Sequence, residues 1–196
     1  MIAWQSPTDP WWYTTRALTL TSQMPRSART TALAMLATVA AVAGCGAQAR
    51  QAKPLSGWLS YDSVRESATI TVLPGYDNAY GGFNFNGYAK GQVDVVVPVG
   101  WKVTVRCVNT GLGGRHSCAI VAGAGATRPA FPGASSPDPS AGLAHGRSAS
   151  FSFTAARPGV CRIASLVPEQ ERAGMWDVLE IKPARLPTVV LLRRTP

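Results

Sequence analysis

The stretch "QVDVVVPVGWKVTVRCV" (92–108) decides the fold class of this chain. It consists of two runs, 92–98 and 101–108, in which apolar and polar residues alternate as they do in a strand with one buried face. Pro98 stands at the end of the first run, where the missing N–H of proline is tolerated. The stretch therefore predicts two consecutive β-strands. The residues predicted to face the core are Val93, Val95, Val97, Trp101, Val103, Val105 and Cys107.

Further runs along the chain also have the character of short strands bounded by glycine and proline. They are 67–73, 116–121, 148–154, 159–167 and 176–181. Seven or eight short strands without an amphipathic helix pattern predict an all-β domain, either a two-sheet Greek-key β-sandwich or a small Greek-key barrel. The segment between Val121 and Ser148 is rich in Gly, Ala, Pro and Ser, so it predicts a long surface loop between the two halves.

The charge of the chain bears on which partners it can have. The 196 residues carry a formal net charge of +9. Between Trp58 and Lys182, however, 11 basic residues accompany 9 acidic ones, so most of the excess lies in the flanking segments. Because the domain has no basic cluster, we expect no nucleic-acid partner. The chain has two histidines and neither a Gly-x-Ser-x-Gly motif nor a phosphate-binding loop, so we do not expect an enzyme.

The segment 24–44 has the parts of a bacterial lipoprotein signal peptide. Arg26 and Arg29 precede an apolar run that is too short for a transmembrane helix of about 20 residues. The segment leads into Val-Ala-Gly-Cys, which is similar to a lipobox. This predicts cleavage before Cys45, lipidation of its sulfur, and an exported protein that is lipid-anchored at the outer face of the cell membrane or in the periplasm. An ordinary signal peptide with an incidental cysteine stays open. The flanking segments are predicted to be an over-extended start (1–23) and a linker (45–57).

Four segments of the chain together resemble a known protein family. They are "GGFNFNGYAKGQVDVVVPVGWKVTVRCVN" (81–109), "RHSCAIV" (115–121), "AFPGASSPDPSAGL" (130–143) and "VPEQERAGMWDVLEI" (167–181). The "FNFNG" and "VPVGW" pair and the closing "GMW" are the most specific parts. Over residues 58–182 the chain resembles a sulfocyanin-type cupredoxin. The resemblance implies a Greek-key β-sandwich and, by family habit, a type 1 (blue) copper site for electron transfer outside the cytoplasm.

The resemblance also assigns the ligand positions of such a copper site. A type 1 centre needs two imidazoles and a thiolate, with a weak axial thioether. His116 takes the position of the first imidazole, and Met175 takes that of the thioether. Ser165 and Gln170 stand where the thiolate and the second imidazole would be, and Glu169 stands where the family pattern has glycine. Copper is therefore the cofactor implied by the resemblance, but we do not expect it to bind as a type 1 centre.

Two hypotheses for function follow from this substituted ligand set. In the first, the copper site is lost, His116 hydrogen-bonds to Ser165 or Gln170, and the protein has a binding or structural role with an unknown protein partner. In the second, a rebuilt site around His116 and Met175 binds copper or transfers electrons. The other histidine, His145, matches no ligand position and is predicted to be an exposed loop residue.

The cysteines and the C-terminal segment leave further alternatives open. Cys107 and Cys118 flank the turn "NTGLGGR" on strands that we expect to pair, so they form either a cross-strand disulfide or two buried thiols. Cys161 lies beyond reach of the ligand positions and is expected to fill the core. Residues 183–196 are assigned as a C-terminal tail, within which "TVVLL" either stays flexible or adds an edge strand.

Overall fold

The computed structural model describes residues 51–192, so the predicted start, signal peptide and Cys45 lie outside the described residues. The described part contains nine β-strands and two short 3₁₀ helices, Leu55–Gly57 and Ala79–Gly82. The strands are β1 (Leu59–Asp62), β2 (Ser67–Val72), β3 (Val93–Pro98), β4 (Lys102–Val108), β5 (Ala119–Val121), β6 (Ser148–Thr154), β7 (Gly159–Ala164), β8 (Trp176–Lys182) and β9 (Thr188–Leu191). No helix among the described residues is long and apolar enough to cross a membrane.

The strands form two sheets, which confirms the predicted β-sandwich. One sheet has the order β1-β2-β4-β6 and the other has the order β5-β7-β8-β3-β9. Both sheets are mixed, since β2 runs parallel to β4 and β3 runs parallel to β8, while their other pairs are antiparallel. The segment after Lys182, for which a tail and an edge strand were both open, contains β9, which pairs with β3.

The alternation in the opening stretch matches the burial of its side chains. In β4, Val103, Val105 and Cys107 are fully buried, whereas Lys102 and Arg106 are exposed. The predicted core residues of β3 and Trp101 are buried as well. The core lies between the two sheets, and Trp58, Ile70, Phe85, Ile163 and Leu179 also contribute to it.

The "FNFNG" motif holds the backbone at one end of the sandwich together. Asn84 accepts hydrogen bonds from the N–H groups of Tyr76 (3.2 Å) and Gly87 (3.0 Å) and donates to the carbonyl of Ala79. Asn86 accepts from the N–H of Leu73 and donates to the carbonyl of Thr71. Both side chains are fully buried. This asparagine pair therefore supplies partners to buried and partly buried backbone groups of the turns at this end.

Cys107 and Cys118 form a disulfide, with their Cα atoms 6.0 Å apart. The expectation that these cysteines lie on pairing strands is wrong, because Cys107 is in β4 and Cys118 directly precedes β5, which belongs to the other sheet. The disulfide therefore joins the two sheets across the core. Cys161 is the free cysteine of the described residues and is buried in the core, and burial raises the pKa of its thiol.

The long loop between β5 and β6 is packed onto the sandwich over part of its length. Ala134 and Ser136 are buried, and their N–H groups donate to carbonyls of Phe131 and Cys118. Phe131 stacks on Phe153 of β6 with their ring centroids 4.9 Å apart. The prediction of a surface loop missed this packing, because the composition of the segment does not show which of its small residues contact the core.

Candidate metal centre

The residues at the predicted ligand positions meet at one end of the sandwich, which we call the site end. His116 lies just before β5, Ser165 directly follows β7, and the loop 165–175 leads into β8. Backbone hydrogen bonds close this loop: the N–H of Met175 donates to Gln170 (2.9 Å), and the N–H of Ser165 donates to Met175 (3.2 Å). The topology therefore brings His116, Ser165 and Gln170 together from distant parts of the chain.

Gln170 connects the other polar groups of the site. Its Nε2 donates to the carbonyl of Arg115 at 2.9 Å, and its Oε1 lies 2.9 Å from Nδ1 of His116 and 2.8 Å from Oγ of Ser165. A carbonyl oxygen can only accept, so the contact with Arg115 fixes which end of the amide is Nε2. Because Oε1 is also an acceptor, Nδ1 of His116 must carry the proton in their hydrogen bond.

Ser117 completes the buried polar arrangement. Its Oγ accepts from the N–H of Leu166 (2.8 Å) and lies 3.3 Å from Oγ of Ser165, while its own N–H donates to Ser165 at 3.2 Å. His116, Ser117, Ser165 and Gln170 are all buried. We call these four residues the polar cluster. Sequence reasoning did not assign Ser117 a role, although its position next to His116 in the "RHS" segment was a usable signal.

Met175 differs from the other predicted ligand positions in its surroundings. Its side chain is fully buried and belongs to the main hydrophobic core. Methionine fills irregular core gaps well, so this environment accounts for the residue without a metal. Met175 therefore retains a place in the core, whereas Ser165 and Gln170 occupy the polar cluster.

The backbone of the loop retains a conformation that favours glycine. Glu169 has a φ of 67°, in the left-handed region. A residue with a Cβ pays roughly 1 kcal/mol or more for this conformation. In the family pattern this position is glycine, so the backbone shape and the pattern agree while the side chain does not. Gly174 in the same loop also has positive φ (110°), and a Cβ there would lie 2.7 Å from the side chain of Lys90.

Ion pairs also hold the loop 165–175. Glu171 pairs with Arg162 of β7 at 2.5 Å, and its other carboxylate oxygen accepts from the N–H of Gly125 at 2.9 Å. The guanidinium of Arg162 lies 3.7 Å from the ring centroid of Trp176. The two carboxylates of the loop are thus engaged in ion pairs, since Glu169 pairs with Arg172.

A cleft of about 790 Å³ opens beside the polar cluster. His116, Gly75 and Gly111 line it, and a Cβ at Gly75 or Gly111 would lie 3.0 or 2.9 Å from Nε2 of His116. His145 lines the same cleft and is exposed, as predicted. That His116 and His145 line one cleft could not be predicted, because it depends on the long loop, which pairs Leu143 with His116.

A comparison with protein families identifies the family to which the chain belongs. The sulfocyanin (SoxE) domain matches residues 56–186, which is more than half of the chain. The chain belongs to the sulfocyanin family. The family assignment made from the sequence motifs is thereby confirmed.

Solved structures similar to this sulfocyanin-family chain include three auracyanins. Reduced auracyanin from Roseiflexus castenholzii has 22% sequence identity and a TM-score of 0.45, and the match covers 59% of this chain and 97% of that protein. Auracyanin A, a "blue" copper protein from Chloroflexus aurantiacus, has 20% identity and a TM-score of 0.42, with 59% and 98% covered. Auracyanin B has 20% identity and a TM-score of 0.44, with 65% and 96% covered. No curated protein matches the chain.

The family implies copper, so the donor atoms of this sulfocyanin-family chain can be compared with the needs of a type 1 site. The predicted positions offer one imidazole, a hydroxyl, an amide and a thioether, in place of two imidazoles, a thiolate and a thioether. Cys118 is in the disulfide, so it supplies no thiolate. Within residues 51–192 no three His, Cys, Asp or Glu side chains are grouped so that they could hold a metal ion. The residues present therefore do not fit a type 1 copper ion.

Proposed function

We propose that this protein is an exported, lipid-anchored member of the sulfocyanin family that has lost the type 1 copper site and has a binding or structural role. We propose no enzymatic activity, because among the described residues the ring of His116 is paired with Gln170 and not with a nucleophile. The observation that carries the proposal is the hydrogen bond between Nδ1 of His116 and Oε1 of Gln170.

This hydrogen bond supports loss of the metal for a chemical reason. A metal ion held between positions 116, 165 and 170 would need the lone pair of Nδ1, the nitrogen of His116 that faces Gln170. That nitrogen instead carries a proton directed at an amide oxygen. Gln170 is itself held by Arg115 and Ser165, so both its amide nitrogen and its amide oxygen are engaged. A closed polar network of this kind keeps the loop in shape without an ion.

Copper loading tests the proposal directly. The exported chain (residues 46–196) would be titrated with Cu(I) and with Cu(II), and the visible absorption, the EPR spectrum and the copper content would be recorded. We expect no blue charge-transfer band and no stoichiometric copper after desalting. Tight, stoichiometric copper that is lost in His116→Ala would contradict the proposal and favour the second candidate, a rebuilt site around His116 and Met175.

The lipid anchor is a separate part of the proposal, and it needs a separate test. Its support is the lipobox-like sequence before Cys45 and the basic and apolar parts of the preceding segment. Mass spectrometry of the N-terminal peptide from the native membrane fraction should show an acylated Cys45. A mature peptide that begins elsewhere, or an unmodified Cys45, would contradict this part without affecting the copper result.

A further inference from the structure

β9 is an edge strand with apolar side chains on its surface. It pairs with β3 on one side, and it ends the sheet order β5-β7-β8-β3-β9 on the other. Val190 is 44% exposed and Leu191 is 50% exposed. From Leu186 to Leu192 the sequence contains no charged residue. An exposed, uncharged edge of this kind is a template for pairing with another chain.

The hydrogen-bond register shows which backbone groups of β9 point away from β3. The N–H of Leu192 donates to the carbonyl of Gln92 at 2.7 Å, and these two residues face each other in the antiparallel register of β3 and β9. In such a pair of strands, facing residues exchange hydrogen bonds at every second position. The exchanging pairs are therefore 92 with 192, 94 with 190, and 96 with 188. It follows that the N–H and carbonyl groups of Val189 and Leu191 point outward from the sheet edge.

The domain itself supplies no backbone partner for these outward groups. The short helix Leu55–Gly57 lies next to β9. Its backbone hydrogen bonds are local, however, since the N–H of Gly57 donates to Pro54 and the N–H of Trp58 donates to Leu55. Within residues 51–192 no hydrogen bond joins this helix to β9. The outward groups of β9 are thus available to a strand from outside the domain.

The other edge strands of the two sheets are covered or polar. The edge of β5 is covered by the long loop, because the N–H of Ile120 donates to Ala134 (2.9 Å) and the N–H of Ala130 donates to Ile120 (2.7 Å). β1 contains Asp62, and the exposed side chains of β6 are serine and threonine. Covering segments and charged residues are devices by which proteins prevent pairing at sheet edges. Among these edges, β9 combines open backbone groups with exposed apolar side chains.

We propose that β9 pairs with β9 of a second copy of this chain, in an antiparallel arrangement with a two-fold axis at Val190. In this register Val189 of each copy faces Leu191 of the other, so their outward N–H and carbonyl groups form four hydrogen bonds. Val190 of one copy faces Val190 of the other on the outer side of the sheet, which gives an apolar cross-strand pair. The two five-stranded sheets then form one continuous sheet.

The symmetry of this pairing favours a second copy as the occupant of the edge. Pairing of the strand with itself satisfies all four outward groups, and the absence of charge between Leu186 and Leu192 leaves no repulsion between identical strands. We expect one strand pair to bury less than the roughly 1,200 Å² of a stable interface, so the dimer should be reversible and depend on concentration. It does not depend on the proposed loss of copper or on the proposed lipid anchor.

Sedimentation analysis of the exported chain (residues 46–196), which lies within one compact unit, tests for the dimer. The weight-average mass should rise toward twice the monomer mass as the protein concentration increases. A chain that stays monomeric at every concentration would overturn the proposal.

Cysteine cross-linking tests the register. Val190→Cys should form an inter-chain disulfide under mild oxidation, because the two-fold axis places these side chains opposite each other. Thr188→Cys is the matched control on the same strand, since two residues on each side of the axis separate its copies by about 14 Å. Cross-linking of Thr188→Cys as fast as that of Val190→Cys would contradict the two-fold axis at Val190.

Two further variants should prevent pairing without disturbing β3. Leu191→Pro removes an outward N–H, and proline is tolerated at such positions of edge strands. Val190→Lys replaces the apolar pair with two facing charges and should weaken dimerisation by about 10-fold. Its control is Val160→Lys, at a valine that is 64% exposed in the interior strand β7, and this variant should dimerise like wild type. A Val190→Lys or folded Leu191→Pro variant that dimerises as strongly as wild type would overturn the proposal.

Discussion

Two sets of buried polar residues lie at the same end of this sulfocyanin-family domain, and they differ in their hydrogen-bond partners. The asparagine pair, Asn84 and Asn86, hydrogen-bonds mainly to backbone N–H and carbonyl groups. In the polar cluster, the side chains of His116, Ser165 and Gln170 bond chiefly to one another. The first arrangement is needed by the fold, whereas the second satisfies groups that the fold alone would not require. This difference is what we expect if, as proposed above, the framework has been retained and the ligand positions have been replaced.

Restoring the ligands should have the largest effect of any change to the site. In Ser165→Cys with Gln170→His, the acceptor for the Nδ1 proton of His116 is removed, and a thiolate and a second imidazole are added. We expect one bound copper per chain and a strong blue charge-transfer band, measured by visible and EPR spectroscopy of the Cu(II) form.

A matched variant controls for the new cysteine in this experiment. Ser165→Cys with Gln170→Asn adds the thiol without the imidazole and should not become blue. If the Cys/His variant is folded by circular dichroism but stays colourless with copper, then the assignment of ligand positions in 165–175 is wrong.

The disulfide is the next largest contribution that can be measured, and it links the framework to the site. It joins β4 to the segment that carries His116, with a sequence separation of 11. Closing a loop of this length stabilises a protein by about 3 kcal/mol. Cys107→Ala with Cys118→Ala should lower the free energy of urea unfolding by about that amount.

Reduction provides an independent check on the disulfide. Wild-type protein in excess reductant should lose a similar part of its stability, whereas the double variant should not respond. Thiol titration of denatured, unreduced protein from residue 46 onward should detect one free thiol, that of Cys161. A count of three would show that the disulfide is absent.

Removing one residue of the asparagine pair should lower the stability of the domain. Asn86→Ala leaves the N–H of Leu73 and the carbonyl of Thr71 without their partner in a partly buried setting. Each orphaned group is costly, so we expect a loss of about 2 kcal/mol in chemical denaturation. Asn78→Ala is the control, since Asn78 is exposed and caps no helix with its side chain, and it should change stability by less than about 0.5 kcal/mol.

The sequence predicted the framework better than the site for a physical reason. Strand alternation in 92–108 is a local pattern, so it could be recognised without knowing the neighbours of each residue. The approach of His145 to the cleft and the course of the disulfide depend on which strands share a sheet, and the spacing of Cys107 and Cys118 does not contain that information. The family motif assigned Ser165 and Gln170 to ligand positions, whereas their mutual hydrogen bond depends on the path of the loop 165–175 in three dimensions.

The smallest effect should come from Glu169, where the retained backbone and the replaced side chain conflict. Glu169→Gly removes the cost of a Cβ at φ 67°, and it also removes an ion pair with Arg172 whose side chains are 82% and 72% exposed, a pair worth little. Glycine makes the unfolded chain more flexible, which offsets part of the gain. We therefore expect a net stabilisation of about 0.5 kcal/mol in urea unfolding, with Glu169→Ala showing none because alanine retains the Cβ. Equal stabilities for the glycine and alanine variants would show that the loop does not hold the glycine conformation, and the match between its backbone and the family pattern would then fail.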